Sequence, residues 1–331
     1  MKHWFLIFAG LFWAAALSAV ERPNIVIFYV DDLGWADTSV RMMESDPNSA
    51  SDFHQTPHLA ALAKRGMKFS NAYAPAPTCT PSRKSIQFGK TPGRLGYTFV
   101  HDVLALQRKL EWKDETSLAD VVKAADPNYI TAHFGKGMGN ERMETIGYDV
   151  TDELEPHGDN GNFHGDYISI KNRTKLPPDN PKRMASLRKS SVDFVNAHSG
   201  KRPFLMMVSH YAVHVPHAAR ADLIEKYRKL PRGKFLTDSD YLPVDEMPKG
   251  KVISSWRLQY AAMLEECDEG LGAIVAALKK TGQLDNTLII FTSDNGGGLG
   301  PNGILRGGKA NLYEGGLRVP FVVAGPGVKA G

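Results

Sequence analysis

Two acidic pairs and one cysteine are the residues of this sequence best suited to chemistry. Asp31-Asp32 and Asp294-Asn295 supply three carboxylates and one amide oxygen. Hard oxygen donors of this kind suit Ca2+ or Mg2+, and carboxylates held together repel one another unless a cation joins them. An acidic pair alone more often sits solvated in a turn or caps a helix, so the weight falls on the context the two pairs share. Cys79 opens the segment Cys79-Thr80-Pro81-Ser82-Arg83. Proline at its third position suits a first helical turn, which places Cys79 near a helix N-terminus, where partial positive charge favours an anionic group. The residue types leave open whether Cys79 is a nucleophilic thiolate, a metal ligand or a loop cysteine without a role.

These residues stand where strands should end. The run from Asn24 to Val30 is nearly all strand-forming apolar residues and stops at Asp31-Asp32-Leu33-Gly34. Such a run predicts a strand buried on both faces, as in a parallel sheet. Similar runs occur over 129–134, 204–209, 287–293 and 320–324, with helical patterns over 56–65, 117–125, 184–197 and 256–280. The alternation predicts an α/β protein, a parallel-rich sheet covered by helices on both faces. Gly135-Lys136, then His210 and His214, then Asp294-Asn295 each follow one of these runs. Ligands of open α/β sheets collect at the carboxyl ends of strands, so four strand ends point to one site. Segments 158–180 and 229–251, rich in Pro, Gly and charge, read as long loops, and no internal repeat interrupts the pattern.

Composition narrows the class. Of 331 residues, 42% are hydrophobic and 23% charged, with 31 Gly and 20 Pro. That excludes a disordered chain, a collagen and a coiled coil. Forty Lys+Arg against 36 Asp+Glu give a net +4, too small an excess for a dedicated nucleic-acid binder, though compatible with a local basic pocket for an anion. The two cysteines, Cys79 and Cys267, cannot build a multi-disulfide framework, and Cys267 falls in an amphipathic helical pattern where core packing explains it. Met1, Lys2 and His3 precede an apolar run from Trp4 to Ala19, closing on Leu17-Ser18-Ala19. A short positive start, an apolar stretch and small residues at a cleavage point predict a secretory signal peptide over 1–19 and hence a periplasmic or extracellular protein. The run is shorter than the roughly 20 residues that span a bilayer comfortably.

The segment from Cys79 to Arg83, continuing through Lys84-Ser85-Ile86-Gln87-Phe88-Gly89-Lys90-Thr91-Pro92-Gly93-Arg94, resembles the signature of the formylglycine-dependent sulfatases of the alkaline-phosphatase-like superfamily. The resemblance runs from Arg22 to the chain end and implies the α/β fold of that superfamily, a mixed, mostly parallel sheet covered by helices on both faces. It includes Pro23-Asn24-Ile25 through Gly34, Thr56-Pro57-His58-Leu59, Phe134-Gly135-Lys136, His214-Val215-Pro216, Ser293-Asp294-Asn295-Gly296 and Gly308-Lys309 through Glu314-Gly315-Gly316-Leu317-Arg318-Val319-Pro320. Six separated matches in the correct order make the resemblance specific.

The resemblance implies that Cys79 is oxidised to Cα-formylglycine by a maturation enzyme that reads this segment. Its hydrate would attack the sulfur of a sulfate ester, and its second hydroxyl would help expel sulfate. Asp31, Asp32, Asp294 and Asn295 would bind Ca2+, in preference to Mg2+, with the oxygen of the modified Cys79 completing the shell. Arg83 would orient the modified residue, Lys136 and Lys309 would neutralise the sulfate oxygens, and His214 would protonate the departing alcohol. His210 and His217 read as structural. The implied substrate is a sulfated carbohydrate or aryl sulfate, with the export machinery and the maturation enzyme as partners and no nucleic acid. Within 22–331 the resemblance implies a catalytic domain incomplete at its C-terminal end, because relatives continue past the Arg318-Val319-Pro320 strand into a smaller subdomain.

One departure bears on mechanism. The family commonly carries a histidine shortly after its lysine, and it helps cleave the sulfated intermediate. Here Lys136 is followed by Gly137-Met138-Gly139. His133 belongs to the strand, and His157 or His164 could approach only from the loop that follows. Either a slow second step or another residue in place of that base is therefore expected. Two other readings compete: a phosphoester hydrolase of the same superfamily, against which the cysteine speaks because phosphatase relatives typically use Ser or Thr, and a non-catalytic sulfated-glycan-binding pseudoenzyme.

Overall fold

The apolar run Asn24–Val30 forms β1, and only Ile25 along it is less than buried. A strand hidden this fully needs neighbours on both edges and layers on both faces. Both are present in the computed structural model, which describes residues 22–100, 112, 114–139, 141–152, 178–215, 217–231, 233, 256–298 and 302–331. The expected signal peptide, the loop residues 158–177 and 234–251, and both His157 and His164 lie outside the described residues.

The other strands are β2 (Met67–Lys68), β3 (Ile130–Gly135), β4 (Val150–Thr151), β5 (Phe204–Ser209), β6 (Thr287–Ser293) and β7 (Phe321–Ala324). They form one seven-stranded sheet in the order β2-β7-β6-β1-β5-β3-β4. From β6 to β4 all neighbours are parallel, whereas β7 pairs antiparallel with both β6 and β2. The expected mixed, mostly parallel sheet is thus present, its antiparallel pairs confined to one edge.

The alternation of side chains sends Val26, Phe28 and Val30 to one face and Ile27 and Tyr29 to the other. The first face packs on α1 (Pro57–Arg65) and, through residues such as Leu187, Phe194, Leu264 and Leu271, on two longer helices. Of the helices numbered in chain order, α2 (Cys79–Phe88), α3 (Pro92–Leu95) and α4 (Leu118–Ala125) cover the second face. The longer helices are α5 (Met184–His198) and, after α6 (Ala221–Arg228), α7 (Trp256–Lys280). A one-turn α8 (Glu314–Leu317) precedes β7. Each large apolar side chain buried between these layers contributes about 1.5–3 kcal/mol. Among the described residues no helix is long and apolar enough to cross a membrane.

Helix starts follow their sequence. α4 begins at Ser117, whose hydroxyl accepts from the Asp120 amide while the Asp120 carboxylate accepts from the Ser117 amide, a reciprocal capping box. The first turn of α1 is capped from elsewhere: the amides of His58 and Leu59 donate to Asp268 of α7 at 2.8 and 2.7 Å. Burial pushes the Asp268 carboxyl up to about 6 despite those bonds.

Candidate active site

Strand register builds the site. Val30 lies opposite Ser293, Tyr29 opposite Ser209, and Gly135 opposite Ser209. The residue after each strand therefore emerges on the same side of the sheet: Asp31 is level with Asp294, and His210 with Lys136 one residue earlier. Backbone bonds hold these exits together: the Asp294 amide donates to Val30 O at 3.2 Å, and the Lys136 amide to Ser209 O at 2.7 Å.

Asp32 then turns the chain with a left-handed φ of 62°, a conformation that Asp tolerates better than most residues. Ser293 fixes that turn against its neighbour, accepting from the Leu33 amide at 2.9 Å and donating to Asn295 O at 2.9 Å. Gly296 is required where it stands, because a Cβ there would lie 1.9 Å from Gly315 O at the start of α8.

Carboxylate oxygens of Asp31, Asp32 and Asp294 lie within 4.8 Å of one another, and all three residues are buried. Asn295 joins them by donating from Nδ2 to Asp32 Oδ1 at 2.8 Å. Its own Oδ1 and the Oδ1 of Asp31 are buried without a hydrogen-bond partner. Orphaned buried oxygens beside clustered carboxylates are what a hard divalent cation would satisfy, so these residues fit one. The Cys79 thiol stands outside this group of donors.

Three cations face the carboxylates. Cys79 is the first residue of α2, and Arg83 follows one turn later on the same face. The Arg83 guanidinium donates from Nε to Asp294 Oδ2 at 2.7 Å and from Nη1 to Ser209 Oγ at 2.5 Å and Lys136 O at 3.0 Å. Its Nη2 lies 3.6 Å from Asp31 Oδ1, and the residue is only 2% exposed. Lys136 donates to Asp31 Oδ2, and Lys309 donates to Asp32 Oδ2 at 2.7 Å.

Burial and charge compete at each group. Burial alone would push Asp31 up, but Lys136, Arg83, His214 and Lys309 hold its carboxyl well below the usual range. Asp294 goes the other way, pushed up to about 7 by burial and then by the neighbouring Asp31 charge, against the pull of Arg83. Burial would lower Lys136 and Lys309, yet the carboxylates, joined by Cys79, keep both above the ordinary lysine value.

The histidines separate by place. His214 Nδ1 lies 2.6 Å from Val215 O, and Nε2 lies 3.7 Å from Asp32 Oδ2, so its ring borders the cluster. His210 turns into the core, its Nδ1 3.6 Å from Cys267 Sγ and its ring 4.7 Å from that of Phe28. His217 stacks on Trp256 at 5.8 Å. His133 is buried within β3, its ring 5.3 Å from Tyr148, and burial followed by the Arg83 charge pushes it down to about 3. Met138, fully buried, occupies the segment after Lys136.

The structure therefore brings together Asp31, Asp32, Asp294, Asn295, Arg83, Lys136, Lys309 and His214, with Cys79 at the head of the helix that carries Arg83. Ser209 was not foreseen: its hydroxyl accepts from Arg83 and donates to Lys136 O at 2.6 Å. Its one sequence signal is a polar residue closing an apolar run. Chemically, a cation-ready carboxylate cluster flanked by two lysines and an imidazole can bind an anionic ester and polarise it.

A sequence model of the family described as Sulfatase matches residues 23–331. The chain is similar to an ulvan-active sulfatase of Formosa agariphila, 28% identical over 93% of this chain and 57% of that protein. It is also similar to arylsulfatase A of Homo sapiens, 29% identical over 95% of this chain and 61% of that protein. Its fold resembles the crystal structure of Ps i-CgsB with a TM-score of 0.70 and 26% identity, over 94% of this chain and 68% of that one. The latter protein has also been solved in complex with k-i-k-neocarrahexaose. The chain thus spans about three fifths of the length of these two curated relatives.

Proposed function

The chain belongs to the sulfatase family, and from that premise we propose that it is an exported hydrolase of sulfate esters using Ca2+ and a formylglycine made from Cys79. The reading rests on one juxtaposition: Cys79 heads α2, and Arg83 on the same helix face is bonded to Asp294 within a carboxylate cluster that two lysines also reach. The intact Cys79-Thr80-Pro81-Ser82-Arg83 segment favours sulfate over phosphate esters. Residues 1–19, as a signal peptide, support a periplasmic or extracellular location. Relatives named for ulvan and for aryl sulfates, and one solved with an oligosaccharide, support a sulfated carbohydrate or aryl sulfate as substrate.

Asp31, Asp32, Asp294 and Asn295 would hold the metal, and the oxygen of the modified Cys79 would join them. Bound Ca2+ supplies a Lewis acid for the sulfate oxygens and for the attacking hydroxyl of the hydrated aldehyde. Arg83, anchored on both sides of the cluster, fixes the head of α2 and thus the direction of attack. Lys136 and Lys309 exchange carboxylate partners for sulfate oxygens and neutralise the charge that shifts toward the leaving oxygen. His214, directed by the contact of its Nδ1–H with Val215 O, presents Nε2 to the departing alcohol and, as the imidazolium, donates the Nε2 proton to it.

The test is direct. The full-length protein is co-expressed with a formylglycine-generating enzyme, the peptide containing Cys79 is weighed, and sulfate release is screened over sulfated glycans and aryl sulfates. A mass loss at Cys79 and release above a Cys79→Ala blank are expected. Unmodified cysteine, or release no greater than the blank, refutes the mechanism. Competition by phosphate esters separates the phosphoester reading, and binding of sulfated glycans without release would identify a pseudoenzyme.

A further inference from the structure

Asn302 takes no part in the ligand set, yet its side chain lies where three loops of the site meet. It is 8% exposed. Oδ1 accepts from the Gly297 amide at 3.1 Å, and Nδ2 donates to Gly307 O at 2.9 Å and, more weakly, to Gly297 O at 3.4 Å. One amide group thus ties the turn after Asp294-Asn295 to the segment that delivers Lys309. The Lys309 amide donates to the same Gly297 O at 3.0 Å. A Cβ on Gly308 would come within 3.0 Å of Nδ2, and one on Gly297 within 2.5 Å of Oδ1.

The third loop is the one that carries Asp31 and Asp32. A Cβ on Gly34 would lie 2.5 Å from Asn302 Oδ1 and 2.6 Å from Asp37 Oδ2. Asp37 in turn accepts from the Gly34 amide at 3.0 Å and from the Tyr260 hydroxyl at 2.6 Å. Glycine at positions 34, 297 and 308 gives the Asn302 amide its room. Only a side chain that donates and accepts at the same distance from its Cα can make both bonds at this junction.

We propose that Asn302 is a positioning residue for the sulfatase reaction, holding the Lys309 segment against the metal-ligand turns so that the Lys309 ammonium reaches the sulfate group. The proposal rests on the sulfatase reading of the site. It assigns the role to the Nδ2 bond with Gly307 O, because that bond alone joins the side chain to the Lys309 segment. Asn302→Asp keeps the acceptor for the Gly297 amide but sets a carboxylate oxygen against the carbonyls of Gly307 and Gly297. The Lys309 segment then moves away while Asp31, Asp32, Asp294 and Asn295 keep their places.

The experiment measures binding of inorganic sulfate to the Ca2+-loaded full-length protein by calorimetry, which does not depend on catalysis. Asn302→Asp is expected to weaken sulfate binding about tenfold, the size of one lost hydrogen bond at the strong end of the neutral range. Lys309→Ala is expected to weaken it at least as much. In the Lys309→Ala background the uncharged Asn302→Ala should add nothing, whereas a merely structural asparagine would add its full effect. Ca2+ affinity should not fall in Asn302→Asp, because the metal ligands keep their places and the substitution only adds negative charge beside them, and a fall would overturn the proposal. Wild-type sulfate affinity in Asn302→Asp, or an effect of Asn302→Ala that multiplies with that of Lys309→Ala, overturns the proposal. Should Asn302→Asp fail to fold, Asn302→Ala is read in the same way. Absence of sulfate binding by the wild type would refute the anion site itself, a different failure. Hydrogen exchange at the Lys309 amide then decides the positioning role, since unchanged protection in Asn302→Asp overturns it.

Discussion

Replacing Arg83 with glutamine removes the guanidinium that the buried carboxylates share. Arg83 is 2% exposed and bonds Asp294, Ser209 and the Lys136 carbonyl while approaching Asp31. Glutamine retains one donor group and no charge, so Asp294 is left facing Asp31 without its main partner. Removing one member of a buried ion pair costs about 3–5 kcal/mol, set against roughly 5–15 kcal/mol of total stability. The loss is therefore expected to be a large fraction of the whole in the presence of chelator. Ca2+ should bind the variant more tightly than the wild type, because one competing positive charge is gone. At a concentration 100 times its Kd, bound Ca2+ adds about 2.7 kcal/mol to any form it recognises, and the tighter binding narrows the gap between the two proteins. Urea unfolding of both proteins with Cys79 unmodified, in chelator and in saturating Ca2+, measures both effects. A loss below about 1 kcal/mol in chelator, the scale of an exposed pair, would refute the reasoning about buried charge. A gap of equal size with and without Ca2+ would refute the assignment of the metal to these carboxylates.

Glu266 is 2% exposed, both its carboxylate oxygens lack hydrogen-bond partners, and burial followed by Glu269 pushes it from 4.5 up to about 8 against Arg220 and Arg188. The folded protein then holds this proton after the unfolded chain has lost it, so stability falls as pH rises from about 4.5 to about 8, by a few kcal/mol; Glu266→Gln should flatten that slope in urea unfolding across this range, and an unchanged slope refutes the effect. The missing histidine after Lys136 predicts a burst of released alcohol followed by slow turnover in stopped-flow assay; progress that is linear from the first turnover contradicts it. Ser209→Ala leaves Arg83 Nη1 and Lys136 O one partner short at a fully buried position, so a loss of about 1–3 kcal/mol is expected in urea unfolding, and no loss would show that the hydroxyl is dispensable. Sulfate should bind more tightly with Ca2+ present than with chelator, and Ca2+ more tightly with sulfate, by about 1–3 kcal/mol in each direction; calorimetry showing independent binding would refute the coupling.

The sheet was legible because its central strands are buried on both faces. A run such as 204–209 has no polar position before its closing serine, and all of Phe204–Ser209 is buried. The two-residue strands β2 and β4 left no run to read, and they exist only because β7 and β3 offer them an edge. Asp31, Asp294 and Lys136 could be placed at one site because a parallel register carries every strand end to the same side. What sequence could not show was contact across distance. Asp268 caps α1 from a helix some two hundred positions away, and Ser209, at the end of β5, bridges Arg83 of α2 and the Lys136 carbonyl after β3. Asn302 looked like one more polar residue in a glycine-rich stretch. Its role depends on which carbonyls the folded chain brings to its amide, and no local pattern encodes that.

The charges of the site explain why its parts belong together. Three carboxylates, from Asp31, Asp32 and Asp294, face three cations, Arg83, Lys136 and Lys309. Such a set is near neutral, which is what allows it to be buried at all. Arg83 is committed by several bonds to the frame, whereas each lysine reaches a single carboxylate by its ammonium. A divalent cation drawn to the orphaned oxygens of Asp31 and Asn295 would compete with those ammonium groups for the same carboxylates. Once displaced, the lysines stay within reach and the site carries a positive excess matched to an anionic ester. Under the proposed function, metal binding and sulfate binding would be two halves of one rearrangement of ion pairs. On this account the lysines serve first to make burial of the carboxylates tolerable and then to grip the substrate. Any residue that fixes how far Lys309 can swing between Asp32 and a sulfate oxygen sets the efficiency of that exchange.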